Sequence, residues 1–264
     1  MLERLNTGAE MPTEWAGRSI AYYREIDSTN RAAREMARNG AAHGTLVLAD
    51  MQTSGRGRRG RSWISPAGEG VFMTLIIRPQ ESPEKAARIS LAAALAAARG
   101  IARVSGLDAR IKWPNDIVIG GRKVCGMLLE MDLLEGGLPA VSAGIGVNVH
   151  QTQFDEEIAH TASSLDLLAG RRIDRADVVL AILKEMERAM RELQADEAAF
   201  MRAYRAMSAT LGQRVQVIAH GESYTGVAQA VTQGGSLLVR ADEDGALREV
   251  LAADVSVRGI MGYV

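Results

Sequence analysis

From Leu211 onward the sequence is written in short runs of alternating apolar and polar residues: RVQVIA, ESYTGVAQAV, SLLVRA and REVLAADVSV. The dipeptides His220-Gly221, Gly234-Gly235 and Asp244-Gly245 separate them. A period of two sends successive side chains to opposite faces, so each run offers one face for burial and needs neighbours to cover it. Runs this short, broken by glycine turns, predict a small separate barrel of about four or five strands. The change of pattern divides the chain into a larger unit over 1–208 and a small one over 209–264.

The larger unit alternates strand with helix. SIAYYREI (Ser19 to Ile26) reads as a strand, and DSTN (Asp27 to Asn30) places cap-type side chains ahead of a helix through Ala37. Asn39-Gly40 ends that helix, and TLVLAD (Thr45 to Asp50) and VFMTLIIR (Val71 to Arg78) read as further strands. Ser82-Pro83-Glu84 predicts the start of a long helix reaching about Ala102, with the proline in the first turn. Gly120-Gly121 predicts a tight turn between a strand ending at Ile119 and one restarting near Lys123. AVSAGIGVNV (Ala140 to Val149) reads as a strand buried on both faces, and helical spacing covers roughly Arg175 to Met207. This order predicts an α/β (α+β) class for the larger unit.

Composition narrows the function. With 47% apolar and 24% charged residues the chain can bury a core without covalent staples. Cys125 is the single cysteine, and His43, His150, His160 and His220 are scattered, so no zinc spacing is present. MLERLNTGAEMPTEW lacks the apolar segment of a secretory signal, and ISLAAALAAARGIA is too short to span a bilayer. A cytoplasmic protein without a membrane partner is expected. The net charge of −1 argues against bulk affinity for nucleic acid while leaving room for a local basic patch.

Such a patch exists. GRGRRGRSW (Gly55 to Trp63) sets Arg56, Arg58, Arg59 and Arg61 among Gly55, Gly57 and Gly60. Guanidinium forks match phosphate oxygens bidentately, and glycine lets backbone amides approach a ligand. The stretch is not a Walker loop, since no Gly-Lys-Ser/Thr opens a helix after it. KWPND (Lys112 to Asp116) offers a cation, an amide and a carboxylate at a strand end. Lys123 enters an apolar strand, and on a central strand it would need an anionic partner. Gly126, Gly144 and Gly146 are strand glycines, which mark close approach of a ligand or another backbone. Each stretch also has an ordinary alternative: a solvated arginine face, a packed turn, an exposed strand-entry lysine, or tight sheet packing.

Taken in order, DSTN, QTSGRGRRGRSW, KWPND, GRKVCGMLLE and GIGVNV resemble the biotin protein ligases. The resemblance runs continuously from about Tyr22 to Val149 and more weakly into the C-terminal barrel, which is similar to that family's SH3-like domain. It implies a catalytic domain built on a mixed β-sheet flanked by helices. It implies ATP and biotin as substrates, with Mg²⁺ carried by the ATP phosphates and no metal held by the protein. Ser28, Thr29, Asn30 and Gln52 match positions that hold biotin's polar head and ring. Arg56, Gly57 and Arg58 match the loop over biotin and the nucleotide phosphate, and Gly126, Gly144 and Gly146 fall on the biotin side. Lys123 matches the lysine between the biotin carboxylate and the α-phosphate. Lys112, Asn115, Asn148, Arg61 and Trp63 join Arg56 and Arg58 as candidates on the adenylate side. Lys123, Arg58 and Asp116 are the catalytic candidates, Asp116 to orient or deprotonate an acceptor lysine.

The implied partner is a biotin carboxyl carrier protein of acetyl-CoA carboxylase or another biotin-dependent carboxylase, met by a monomer or homodimer. Some relatives carry an N-terminal winged helix-turn-helix that represses biotin synthesis. A first strand near Ser19 leaves only a short extension before it, so neither DNA binding nor repression is expected. Lipoate or octanoate transfer on a related fold predicts a different glycine-arginine motif and gives no reason for KWPND. A nucleic-acid clamp predicts aromatic partners spread along a basic face, and only Trp63 is near.

Overall fold

The strand-like runs ahead of Leu211 all enter one sheet. The computed structural model describes residues 2, 5, 11–79, 88–134, 137–219, 222–252 and 255–259. Its larger sheet comprises β1 (Ile20–Ile26), β2 (Leu46–Gln52), β3 (Gly70–Ile77), β4 (Arg110–Lys112), β5 (Asp116–Ile119), β6 (Arg122–Leu133) and β7 (Pro139–Asn148). Their order is β1-β2-β3-β7-β6-β5-β4. Helix α1 (Thr29–Arg38) crosses back between β1 and β2, which therefore pair parallel. The other neighbouring pairs are antiparallel, so the sheet is mixed. β7 lies at its centre and is buried along nearly its whole length, as its apolar text requires.

Two helices cover one face of the sheet. These are α2 (Ile89–Ser105) and α5 (Arg175–Ala195), whose Leu95, Ile101, Val179, Ile182 and Met186 share a core with Leu48, Met73, Leu75 and Ile145. The expected opening of α2 at Ser82-Pro83-Glu84 lies outside the described residues. Its end is Gly106, left-handed at φ 76°, a conformation that costs glycine little. Two short helices, α3 (Glu156–Ala159) and α4 (Leu165–Ala169), precede α5 and are too short for periodicity to reveal. The single helical section expected over Arg175 to Met207 is instead two helices, α5 and α6 (Glu197–Ala206). Asp196 breaks it: its carboxylate accepts from the Ala199 amide at 2.9 Å and starts a new helix in place of continuing the old one.

The opposite face is only partly covered. α1 packs a small core of Ala33 and Ala37 onto Val47, Ile76 and Ala140. The remainder of that face, over β3, β7 and β6, is where the site lies.

The C-terminal runs form β8 (Arg214–Ala219), β9 (Glu222–Val231), β10 (Leu237–Ala241), β11 (Leu247–Val250) and β12 (Val255–Gly259). They make an antiparallel sheet in the order β11-β10-β9-β8-β12. Of the expected turns, Gly234-Gly235 and Asp244-Gly245 join strands, and His220-Gly221 lies outside the described residues. The core of this sheet is not self-contained, because Val215, Val217, Leu237 and Val239 belong to the same cluster as the helices. KWPND supplies a further tie: buried Trp113, followed by a cis peptide to Pro114, donates its indole N–H to the Gly235 carbonyl at 2.9 Å. The edge of β4 is covered by the connection after α6, where Ile111 exchanges backbone bonds with Met207 and Ala209.

Gly100 sets how closely α2 and α5 approach. A Cβ at that position would sit 2.9 Å from the Ile182 backbone, too near for either helix to yield locally. Gly100→Ala gains about 1 kcal/mol of helix propensity and incurs overpacking of about 1–3 kcal/mol. The expected result is a net loss of about 1 kcal/mol, read as a lower urea midpoint with unchanged slope. A midpoint equal to or above wild type would mean the helices are not in contact there.

Candidate active site

The register of the central strands puts glycines side by side. Phe72 pairs with Gly146, Gly146 with Gly126, Gly126 with Asp116, and Asp116 with Lys112. In the next row on the same face Thr74 pairs with Gly144, and Gly144 with Leu128. Partners across antiparallel strands share a face, so these glycines open a trough in a sheet that is otherwise filled. Other groups occupy the space: a Cβ at Gly126 or Gly146 would come within 2.7 Å of the Trp63 indole, and one at Gly144 would strike the Asn30 amide.

Lys123 reaches the trough through a bulge. It stands at an odd spacing from Gly126, which on a regular strand would send it to the other face. The β5–β6 register shifts here: Ile117 pairs with Cys125, and Val118 with Lys123. Val124 is thus the extra residue, and Lys123 returns to the trough side, its Nζ 3.1 Å from where a Gly126 Cβ would lie. The ammonium is 2.8 Å from Asp116 Oδ1 and 5.2 Å from the Trp63 ring centroid. Cys125 points to the core, where burial pushes its thiol pKa up, so it is no nucleophile.

A neutral polar floor meets these cations. Ser28, Thr29 and Asn30 are buried where β1 turns into α1. Ser28 holds the N-cap position, yet its hydroxyl makes no capping bond. Gln52 Oε1 accepts from the Thr29 amide at 2.9 Å and its Nε2 donates to Ser65 Oγ at 2.9 Å. Thr74 donates to Asn30 Oδ1 at 2.7 Å, and Asn30 Nδ2 donates to the Leu128 carbonyl and to Glu130 Oε2, both at 3.0 Å.

The arginine stretch has a defined shape. Trp63 N donates to the Gly55 carbonyl at 2.9 Å and Gly57 N to the Arg61 carbonyl at 2.7 Å, closing a narrow arch. Its tip is one 3₁₀ turn over Arg58–Gly60, with Arg59 left-handed at φ 59°. Arg58 points inward. It donates to Asn115 Oδ1 at 2.9 Å and to the carbonyl of Ala252 in the C-terminal unit, and its burial lowers its pKa below the usual arginine value. Asn115 is itself fixed to β6 by two bonds with the Met127 backbone, at 2.7 and 2.9 Å. Arg56 turns to Glu130, at 3.2 Å from both carboxylate oxygens.

Together these groups line one pocket that opens to solvent. Of the residues proposed from sequence, Ser28, Thr29, Asn30, Gln52, Arg56, Gly57, Arg58, Trp63, Asn115, Lys123, Gly126, Gly144 and Gly146 line it. Asp116 reaches it through Lys123. Three others stand off its wall. Arg61 is exposed beyond the arch, and Lys112 is buried in Asp116's row. Asn148 continues the trough face opposite Gly70, with its amide on the Ser163 carbonyl at 3.1 Å. Sequence reasoning missed the wall of Phe72, Met73, Met127, Leu128 and Ile145, and also Thr74 and Glu130, which hold Asn30. For Thr74 there was a signal, a lone hydroxyl in the apolar run VFMTLIIR.

Both units of the chain resemble known proteins. Residues 22–148 match the model of the Biotin/lipoate A/B protein ligase family, and residues 210–258 match the Biotin protein ligase C terminal domain. The bifunctional ligase/repressor BirA of Bacillus subtilis is 36% identical over 94% of this chain and 76% of its own length. The biotin–[acetyl-CoA-carboxylase] ligase of Mycobacterium tuberculosis is 32% identical over 90% of this chain and 88% of its own. The biotin protein ligase of Aquifex aeolicus, solved with biotin and ATP, superposes with a TM-score of 0.78 at 27% identity, covering 92% of this chain and 99% of that one. The chain belongs to the biotin protein ligase family.

Proposed function

We propose that this biotin protein ligase carries out both of its steps in the glycine trough, with the neutral floor holding the ring of biotin and the cationic end joining carboxylate to phosphate. One observation carries the reading: Asn30 stands over Gly144, while Lys123 lies against Gly126 one row away. A ligand that is polar and neutral at one end and anionic at the other fits that order, and Trp63, Phe72 and Leu128 suit the apolar body between.

In the first step a carboxylate oxygen of biotin attacks the α-phosphorus of ATP. A C–O–P anhydride forms, the bond to the β-phosphate oxygen breaks, and pyrophosphate leaves. Two anions must meet, so the step depends on cations fixed in advance at the point of contact. Lys123 and Arg58 have that position. The donors facing the trough are cations and amides, a set suited to polyphosphate, and in this reading Mg²⁺ arrives on the phosphates to offset their charge. In the second step the acceptor's lysine amine attacks the acyl carbon, an amide forms, and AMP departs with the bonding electrons. Free lysine has a pKa of about 10.4, so the attacking amine must lose a proton, and Asp116 is the carboxylate at hand. The arch excludes water from the anhydride meanwhile. As acceptor we infer the biotin carboxyl carrier protein of acetyl-CoA carboxylase.

Mass spectrometry of a carrier domain incubated with ATP, Mg²⁺ and biotin should gain one biotinyl group on one lysine. Lipoylation without biotinylation would refute the reading. Lys123→Ala should slow adenylate formation about a hundredfold or more while weakening biotin binding far less, because the ammonium meets its strongest partner as charge gathers around phosphorus. Lost biotin affinity with a normal single-turnover adenylation rate would reassign the residue. Arg58→Gly removes a charge-assisted contact worth about 1.5–3 kcal/mol, so biotinyl-AMP should escape roughly ten- to a hundredfold faster. Biotin should then appear on a bystander such as serum albumin. Retention equal to wild type would show that Arg58 does not hold the intermediate.

A further inference from the structure

One carboxylate in the site is used by neither step. Glu130 lies on β6 in the row of Ser142 and Ile76, on the trough side of the sheet. Its Oε2 accepts from Asn30 Nδ2 at 3.0 Å and from Arg56 Nη1 at 3.2 Å. Its Oε1 accepts from Arg34 Nη1 at 3.0 Å and lies 3.2 Å from Arg56 Nη2. A single group therefore touches the floor, the first helix and the arch.

We infer that Glu130 is a positioning residue that orients Asn30 for the ring of biotin and couples that orientation to closure of the arch through Arg56. The inference rests on the biotin reading given above. A carboxylate only accepts hydrogen bonds, so it selects one of the two flips of the Asn30 amide. With both N–H groups taken by Leu128 and Glu130, and one lone pair of Oδ1 taken by Thr74, the amide has a single free valence, an acceptor. An N–H of a cyclic urea is the donor it suits. Arg34 meets Glu130 through Nη1 alone, because Asp132 takes its Nε and Nη2 at 2.8 Å, so the fork contact is left to Arg56. Hydrogen bonds from Arg34 and Arg38 keep the Asp132 carboxyl at about 2, so it stays charged. Arg34 and Arg38 already balance Glu130 and Asp132, and Arg56 is an added cation on a nearly half-exposed side chain. It can leave when the arch opens, and its fork contact requires Glu130 in the orientation that Asn30 and Arg34 fix.

The test compares wild type, Glu130→Gln, Arg56→Ala and the double variant. Calorimetry measures biotin and an analogue methylated on a ring nitrogen, and limited trypsinolysis at the arch arginines is followed with and without biotin. Wild type should prefer biotin over the methylated analogue by at least about tenfold. Glu130→Gln, whose amide can donate as well as accept, should lose most of that preference and most of the biotin-dependent protection of the arch. Arg56→Ala should lose the protection but keep the preference, and the double variant should protect no less than the worse single one. Additive losses, or a Glu130→Gln protein with wild-type preference and protection, would overturn the coupling. If Glu130→Gln fails to fold, Arg56→Ala still decides, since undiminished protection there removes the link to the arch. Wild type that binds no biotin overturns the biotin reading, and a normal affinity with no cost for ring methylation overturns only the role given to Asn30 and Glu130.

Discussion

The site depends on three missing side chains. β7 and β6 run through the middle of the sheet, and a central strand buried on both faces normally fills its surroundings with branched apolar groups. At Gly126, Gly144 and Gly146 nothing projects, and the Trp63 ring and the Asn30 amide take up the room that Cβ atoms would need. Every other feature follows from that opening. The walls are made by neighbours in the rows, Phe72 and Leu128, and the floor by the start of the helix that covers the rest of the face.

Much of this architecture was legible in the residues, and the exceptions have physical reasons. The strands, the crossover helix and the small all-β unit follow from period and turn chemistry. The break at Asp196 was hidden because the apolar spacing on either side continues in nearly the same phase, and only the carboxylate's bond to Ala199 interrupts it. DSTN does open a helix, as its cap-type side chains suggest, yet the Ser28 hydroxyl makes no capping bond. Period alone would have put Lys123 on the core side, and the bulge that returns it to the trough depends on how β5 pairs. The cluster of Arg34, Glu130 and Asp132 joins residues about a hundred positions apart, far beyond any local pattern.

The two units share more than a linker. Val215, Val217, Leu237 and Val239 are continuous with the main core, and Trp113 of KWPND is fastened to Gly235. KWPND, which carries Asn115 and Asp116 beside Arg58 and Lys123, is thus fastened to the C-terminal unit as well as to the larger sheet. The alternating runs after Leu211 describe a sheet whose core is completed by the larger unit.

The partners of the two inward arginines differ in kind, and this explains why a nearly neutral chain concentrates guanidinium groups on a short arch. Arg56 faces a carboxylate, an acceptor with full negative charge and two oxygens in fork geometry. Arg58 faces an amide oxygen and a peptide carbonyl, both neutral. Burial lowers its pKa, with Asp116 only partly compensating and Arg59 opposing, so its charge is desolvated without a matched anion at contact. A phosphate offered to the arch competes poorly for Arg56 and well for Arg58, since neutral acceptors return much less of the cost of burying a charge. Arg56 is thus suited to anchor the arch, and Arg58 to give up its resting contacts to an anion, the exchange that the proposed adenylation would ask of it.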